Sequence, residues 1–348
     1  MNKKRYGIYA AVFVVLAALV YLQFRTWQHF DWNTFLSQTS HVSKLRVVFG
    51  IGWIYLAYIL RAIRWNIFLR PARRASAGRL VAPTIVGFTG LALLGRAGEM
   101  IRPYLIARKE NLSFSSQMAV WAVERIFDLG AFALLLSLAI AFSPATRALL
   151  HFFRIGNLGT ISLAVIAAAF GILMIWKGDH LIVLAVRRLS PELSHLGMRI
   201  ALRIREFRSG LNAIHNVWFL LYAIAVSILM WIMIGLAYWE VLHSYGKGPL
   251  DIPILQVPLL MLSSMVGSLV ALPGVGGGTQ LATIFTLRRV FNVPQELAAS
   301  CGILLWLVTF ASVVPAGLLL MHRERLSLRK LSTESEEAED VAATEEAT

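Results

Sequence analysis

Long apolar segments, separated by short polar loops, cover most of the chain. A helix of about 17–25 predominantly apolar residues crosses the ~30 Å hydrocarbon core of a bilayer. Six segments meet this length and predict full transmembrane helices at residues 6–22, 47–69, 118–142, 158–176, 217–242 and 297–321. The predicted fold is therefore an all-α polytopic integral membrane protein with about six full transmembrane helices.

Two further apolar segments are interrupted by glycine and predict hairpins. Residues 80–95 are short and glycine-rich, and basic residues flank them on both sides, at 70–79 and 108–109. A single crossing would place one basic flank outside, against the positive-inside rule. We therefore predict a re-entrant hairpin near residues 80–107 that enters from the cytoplasm and turns at 95–98. Residues 252–291, broken at LPGVGGG, predict a second hairpin that enters from the outer side.

The order helix, broken hairpin, helix occurs twice, in residues 47–142 and again in residues 217–321. The alternation of basic loops predicts that the two halves run in opposite directions across the membrane. Interrupted segments at matching places in inverted halves are typical of transporters with a site near the middle of the bilayer. The inverted repeat is indicated by hydropathy and charge alone.

Composition supports the membrane assignment and limits the partners. Hydrophobic residues make up 57% and charged residues 15% of the chain, against about 25% charged in soluble domains. The net charge of +14 comes from bases at the ends of apolar segments, which predicts contacts with anionic headgroups and no nucleic-acid partner. Cys301 is the single cysteine and the histidines lack ligand spacing, so no metal or cofactor is expected.

The same pattern predicts the domains and the localisation. The basic N-terminus with no cleavage site after its apolar run indicates an uncleaved first helix, with both termini cytoplasmic in a bacterial inner membrane. We expect three regions: a first helix and external loop (1–45), a membrane domain (46–322) and a disordered cytoplasmic acidic tail (323–348).

Charged residues inside apolar sequence mark the best candidate site. An ion at bilayer depth costs about 2.5–3.5 kcal/mol on insertion scales, so such groups usually face a partner or a wet cavity. Six residues form the candidate headgroup site: Arg96, Glu99, Arg102, Glu124, Arg125 and Asp128.

The turn of the first hairpin could hold a lipid phosphate. Gly95 and Gly98 permit unusual backbone angles and close approach, and the arginines Arg96 and Arg102 can grip phosphate oxygens bidentately. The alternative is an ordinary cytoplasmic loop, with Arg102 extended to the membrane surface.

A polar stripe follows in the helix at 118–142. Its residues Trp121, Glu124, Arg125 and Asp128 are spaced i, i+3, i+4 and i+7, so they share one face. The two carboxylates repel each other and require a cation from elsewhere in the chain. The candidates are Arg61, Arg64, Arg96 and Arg102.

The role of these charges stays open at this point. The carboxylates could receive a cationic headgroup or a proton, or they could belong to a static network that fixes the hairpin. Arg61 and Arg64 could line a cytoplasmic mouth or serve as positive-inside anchors.

The second glycine break supplies further cavity or hairpin candidates, which are Pro273, Gly274, Gly276, Gly277 and Gln280. It is not a nucleotide-binding loop, because no soluble strand precedes it and no Lys-Ser/Thr follows. The serines and glycine at 263–268 suit close helix packing better than ligand binding. No nucleophile–base arrangement is evident, so we expect no enzymatic activity.

Two motifs carry a resemblance to a known family. The segment GRAGEMIRPYLIARKENLSFSSQMAVWAVERIFDL, followed by LPGVGGGTQLATIFTL, resembles the lysylphosphatidylglycerol synthase transmembrane-region family, also called flippase-like or UPF0104 proteins. The resemblance covers most of residues 45–322. The family patterns G-x-x-G-E-x-x-R and V-x-E-R-x-x-D match Gly95, Gly98, Glu99, Arg102, Glu124, Arg125 and Asp128.

The chain also differs from the family pattern in two respects. The downstream glycine loop of the family usually ends in glutamate, whereas Gln280 stands near that place here. Relatives that make lysyl-phosphatidylglycerol add a soluble aminoacyl-transferase, and only a short charged tail follows Met321 here. The resemblance therefore implies the translocating part without the synthase.

The leading hypothesis is a lipid translocase or lipid-binding transporter. Its expected partner is an anionic phospholipid or a polyprenyl-phosphate-type lipid, with a homo-oligomer left open. One alternative is an integral-membrane enzyme with Glu99 and Asp128 as acid and base. Another is a non-catalytic organiser that binds anionic lipid or a partner through the arginines at 187–208 and the acidic tail.

Overall fold

The computed structural model describes residues 31–70, 73, 75–143, 217–268, 277–324, 326–327, 331–335 and 337–338. Every regular element in these ranges is helical, which confirms the all-α prediction. The predicted helices at 6–22 and 158–176, the arginines at 187–208 and residues 339–348 lie outside the described part.

Nine α-helices organise this part of the chain: α1 (Trp32–Ser40), α2 (Lys44–Leu69), α3 (Ala77–Leu94), α4 (Ile101–Glu110), α5 (Phe114–Phe142), α6 (Val217–His243), α7 (Val257–Ser268), α8 (Gly278–Arg289) and α9 (Gln295–Arg323). A 3-10 turn (Gly95–Met100) joins α3 to α4, a second (Ile254–Gln256) precedes α7, and α9 contains a π-turn (Leu307–Ala311). Five helices are long and apolar enough to cross a membrane: α2, α3, α5, α6 and α9.

Four predicted spans, at 47–69, 118–142, 217–242 and 297–321, are confirmed as helices. The structure corrects the prediction for residues 80–95, whose short length was one reason to predict a hairpin and not a membrane-spanning helix. They belong to an 18-residue helix of about 27 Å, which is among the candidate spans. Gly87 and Gly90 do not shorten α3, because α4 packs directly against them and tertiary contact outweighs their low helix propensity.

The chain does reverse after α3, as the hairpin prediction requires. Gly95 ends α3 with a φ of 66°, in the left-handed region that favours glycine. A Cβ on Gly98 would overlap the backbone of Gly90, so the turn lies directly on α3. The end of α4 lies beside the start of α3, since Glu110 at the end of α4 is ion-paired with Arg79 near the start of α3.

The two helices of the second predicted hairpin also lie side by side. Helices α7 and α8 pack against each other, and a Cβ on Gly267 would overlap the carbonyl oxygen of Gly278. The Ser264 and Thr283 hydroxyls are 2.7 Å apart, so the small residues here serve packing. Gly277 precedes α8 with a φ of 51°; the predicted residues Pro273, Gly274 and Gly276 lie outside the described part.

The contacts follow an inverted repeat. Helices α2 and α6 are antiparallel, since Ser43 near the start of α2 bonds Ser244 after the end of α6, at 2.8 Å. In the first half, the hairpin of α3 and α4 packs on the flanking helices α2 and α5. In the second half, the hairpin of α7 and α8 packs on the flanking helices α6 and α9. Each hairpin also contacts the closing helix of the other half, α3 against α9 and α7 against α5.

The predicted external loop before residue 45 contains a helix. Asp31 caps α1, and a 2.6 Å hydrogen bond from the Thr34 hydroxyl to its carboxylate, together with backbone donors, lowers the pKa of Asp31. The Thr39 and Ser300 hydroxyls are 2.7 Å apart. Helix α1 is therefore attached to α9.

The start of the predicted acidic tail contacts the first hairpin at residues 331–335. These residues form a helical turn. Leu331 is 1% exposed and packs against Val86, Ile101, Leu105 and Met321. The Tyr104 hydroxyl donates a 2.9 Å hydrogen bond to Glu334. The apolar side chain of Leu331 docks this turn on the first hairpin, despite the acidic composition of the tail as a whole.

Replacing Leu331 by aspartate should release this turn from the hairpin. The change removes a buried leucine side chain, whose burial contributes about 1.5–3 kcal/mol to the free energy of docking. It also places a carboxylate among apolar side chains. Hydrogen exchange of the amides of residues 331–335 should accelerate at least about 10-fold. Ser327→Asp, at an exposed position, is the control, and equal exchange in both variants would contradict the docked turn.

Candidate functional site

The polar stripe predicted on α5 faces the interior of the helix bundle. Glu124 is 0% and Asp128 5% exposed, one helical turn apart on α5. Arg64 of α2 lies between them. Its Nη1 donates to Asp128 Oδ1 at 2.7 Å, and its Nη2 lies 2.8 Å from Glu124 Oε1. The external cation that the repulsion argument required is thus, in part, Arg64.

Helix α4 contributes Arg102 from the first hairpin. Both of its terminal nitrogens contact Glu124, with Nη1 donating to Oε1 at 3.3 Å and Nη2 ion-paired with Oε2. Its guanidinium lies 4.3 Å from the Trp65 ring centre and 5.3 Å from that of Phe88, a cation–π arrangement. The Trp65 Nε1 donates to Gln117 Oε1 at 3.0 Å, which fixes the ring.

Two more arginines complete the cluster. Arg61 Nη1 is 3.5 Å from Asp128 Oδ2, and its guanidinium lies 5.0 Å from the Phe88 ring centre. Arg125 Nη2 is 3.4 Å from Glu124 Oε2 and 3.2 Å from Asp128 Oδ2. The side chain of Arg125 is 44% exposed, so it is the accessible member. We call Arg61, Arg64, Arg102, Glu124, Arg125 and Asp128 the ion network.

The ion network carries excess positive charge. Four guanidinium groups against two carboxylates leave two positive charges uncompensated within it. Buried charges are stable only when paired or hydrogen-bonded. Arg64 Nε is buried without a hydrogen-bond acceptor among the described residues, and Arg61 Nη1 has only its 3.5 Å ion pair with Asp128. The network is therefore suited to an additional anion.

A small pocket adjoins the ion network at the hairpin turn. Its lining residues are Gly87, Phe88, Leu91, Glu99, Arg102, Trp121 and Arg125. Its volume is ≈ 40 Å³, enough for a few water-sized groups. We call it the turn pocket. Its lining includes two arginines, one glutamate and one tryptophan.

The network lies deep along its helices. Arg102 precedes the end of α4 by eight residues, or about 12 Å. Glu124 follows the start of α5 by ten residues, or about 15 Å. Because α4 and α5 are joined at those ends, the charges lie about half a hydrocarbon thickness (~15 Å) from that connection.

The structure brings most of the predicted residues together. Gly95, Gly98 and Glu99 form the turn beside the pocket, and Arg61 and Arg64 belong to the network. The side chain of Arg96 lies outside the described part, and Gln280 lies where α8 packs on α9. Within the described ranges, no group of three or more His, Cys, Asp and Glu side chains is placed to hold a metal ion.

Sequence reasoning missed four neighbours of the network: Trp65, Phe88, Gln117 and Ser227. Ser227 of α6 accepts a 3.0 Å hydrogen bond from Arg64. Gln117 and Ser227 are polar residues on apolar helices, a signal that could have identified them. Trp65 and Phe88 gave no such signal, because aromatic residues are common throughout this chain.

Comparison with known proteins agrees with this architecture. A family model described as the lysylphosphatidylglycerol synthase TM region matches residues 8–317. A UPF0104 membrane protein of Methanothermobacter thermautotrophicus is 25% identical over 292 residues, which cover 78% of this chain and 84% of that protein.

A shorter similarity extends to one other relative. The protein named Glycosyltransferase AglD of Haloferax volcanii is 34% identical over 90 residues, 25% of this chain and 14% of that protein. No solved structure matches the chain. With a family match across most of its length and five helices of membrane-spanning character, the chain is a membrane protein that belongs to the lysylphosphatidylglycerol synthase TM region family.

Proposed function

We propose that the protein is a lipid translocase or lipid-binding transporter that takes a phosphate-bearing headgroup at the turn pocket. The observation that carries this proposal is the excess positive charge of the ion network at depth, next to the half-exposed Arg125. A phosphate supplies negative charge where the network lacks it. Guanidinium groups bind phosphate oxygens bidentately, which gives the contact its direction.

The two carboxylates have a positioning role in this proposal. Glu124 is contacted by Arg64, Arg102 and Arg125, so it is not accessible to a cationic headgroup. Asp128 is similarly surrounded. They hold the arginines in fixed orientations, so that little reorganisation is needed when the anion arrives.

The inverted repeat supplies a route for movement. Each hairpin contacts the closing helix of the other half, and sliding of these contacts would open the pocket toward one side or the other. In this proposal the first hairpin is re-entrant from the cytoplasm of a bacterial inner membrane. Both termini are cytoplasmic, since the basic loops lie on that side.

Replacing Arg125 by glutamate should slow lipid movement strongly. The variant puts a second carboxylate, beside Glu99, at the turn pocket and removes the accessible guanidinium. We expect at least about 10-fold slower movement, from the loss of a charge-assisted contact of 1.5–3 kcal/mol. The measurement is chemical quenching of a fluorescent phosphatidylglycerol in the outer leaflet of vesicles that contain the full-length protein.

Arg46→Glu is the matched control. Arg46 is 40% exposed, is 3.2 Å from Glu240 and lies 5.8 Å from the Trp239 ring centre. Like Arg125, it therefore has an acidic and an aromatic neighbour. It lies at the opposite end of α2 from Arg64. Equal rates for the two variants would remove Arg125 and the turn pocket from the mechanism.

We also propose that the protein acts without catalysis. Asp128 lies within 3.5 Å of three arginines, which leaves it poorly placed as the acid or base of the enzymatic alternative. The same vesicles test this point by chromatography of extracted lipid. Conversion of the labelled lipid into a product in the absence of soluble proteins would favour the enzyme.

A further inference from the structure

A short segment after α9 connects two parts of the fold that slide past each other in the proposed route of movement. The helical turn of residues 331–335 lies where α9 packs on the first hairpin. Leu331 is 1% exposed. It packs in a cluster with one residue of α3, two of α4 and one of α9, which are Val86, Ile101, Leu105 and Met321. We call residues 331–335 the strap.

The cluster beneath the strap includes the residue next to Arg102. Ile101 precedes Arg102 at the start of α4. A Cβ on Gly90 would overlap the Ile101 side chain, and a Cβ on Gly87 would overlap that of Arg102, so both residues lie directly on α3. Arg102 lines the turn pocket. The contact of Leu331 with this part of α4 therefore helps to hold the hairpin, and Arg102 with it, in place.

Ion pairs at the same surface add to the apolar contact. Glu334 accepts a hydrogen bond from the Tyr104 hydroxyl at 2.9 Å and lies 3.5 Å from Arg108 Nη1. Glu324 lies 3.6 Å from Lys109 Nζ. The side chain of Arg108 is 58% exposed, so its pair with Glu334 is weak and open to competition by other anions. The strap thus places a carboxylate on a base that anionic headgroups would also attract.

We infer that the strap is an autoinhibitory contact, which holds the first hairpin on α9 until an anionic lipid surface binds Arg108 and Lys109 in place of Glu334. This inference rests on the proposed function and adds its regulation. An anionic surface attracts the basic end of α4 and repels the acidic residues that follow the strap in the sequence. Burial of one leucine favours the docked strap roughly 10- to 100-fold, so the hairpin is free to move in a minority of molecules.

The first experiment changes the ion pair and leaves the apolar cluster intact. Arg108→Glu places a carboxylate opposite Glu334. In vesicles of phosphatidylcholine it should accelerate movement of the fluorescent phosphatidylglycerol roughly 3-fold, as expected for the loss of an exposed pair. The double variant Arg108→Glu, Glu334→Lys restores opposite charges and should return the rate to that of the unchanged protein. The control is Arg289→Glu, at an exposed position in the last turn of α8, which should not alter the rate.

The same vesicles test the releasing partner. Unlabelled phosphatidylglycerol, added to the phosphatidylcholine, should accelerate lipid movement by the unchanged protein. It should have little effect on Arg108→Glu, in which the strap is already released. Equal acceleration of both proteins would show that the anionic surface acts elsewhere than on the strap.

The second experiment removes the apolar contact and measures the hairpin directly. Leu331→Asp should accelerate lipid movement roughly 10-fold. In detergent, without lipid substrate, it should also accelerate hydrogen exchange of the amides in the turn at Gly95–Met100. Ser327→Asp, at an exposed position, is the control and should change neither the rate nor the exchange.

The strap would be a stabilising contact alone if Arg108→Glu or Leu331→Asp moved lipid no faster than the unchanged protein, or if the double charge variant stayed fast. Unchanged exchange at residues 95–100 in Leu331→Asp would also overturn the inference. Arg125→Glu separates it from the proposed function. If that variant moves lipid normally while Leu331→Asp accelerates exchange of the turn, the translocation proposal fails and the restraint by the strap stands.

Discussion

Replacing Arg64 by leucine should lower the free energy of unfolding by about 3–5 kcal/mol, the cost of breaking a buried ion pair. Arg64 is 0% exposed, and it contacts Glu124, Asp128 and Ser227 within 3.0 Å. Leucine fills part of the space but leaves Asp128 with weaker contacts, to Arg61 at 3.5 Å and Arg125 at 3.2 Å. Equilibrium unfolding in mixed micelles measures the change.

Arg46→Leu is the control for this measurement. Arg46 and Glu240 form a partly exposed pair at 3.2 Å, and such pairs contribute about 0–1 kcal/mol. The double variant Arg64→Leu, Asp128→Asn should recover part of the loss, because it removes one of the carboxylates that Arg64 had paired. A loss for Arg64→Leu no larger than that for Arg46→Leu would show that the network is not a buried ion cluster.

Replacing Gly98 by alanine should destabilise the protein by about 1–3 kcal/mol, as overpacking does. The added methyl group would overlap backbone atoms of Gly90 and Leu91. Backbone cannot move aside as a flexible side chain can, so the turn must separate from α3. That separation displaces Arg102, which lies at the start of α4 just after the turn. Unfolding and lipid movement should therefore both be affected.

Replacing Gly52 by alanine should have the opposite effect on stability. Gly52 lies within α2 and faces open space, and alanine in a helix interior is favoured over glycine by about 0.5–1 kcal/mol. Gly52→Ala should thus leave stability unchanged or raise it. If Gly98→Ala also raised stability, the hairpin turn would not be packed on α3.

The order of hydrophobic and polar residues determined the elements of this protein. Apolar stretches of bilayer length gave four helices that the structure confirms, because the length of a span is fixed by the thickness of hydrocarbon. Glycine at Gly95 and Gly98 marked the turn, since few other residues permit its backbone angle and close contact. The spacing of Glu124, Arg125 and Asp128 placed them together, because helical periodicity is a local property.

Tertiary structure alone decided how these elements meet. Arg64 and Glu124 are 60 residues apart, and their pairing depends on the rotation and packing of two separate helices. For the same reason, the sequence alone could not decide whether Arg61 and Arg64 line a site or anchor α2 at the membrane surface. Contacts with α4 keep α3 helical through its glycines, and the hydrophobic cluster of the first hairpin orders Leu331. Local composition cannot encode such contacts, because they arise only when distant segments bury their side chains together.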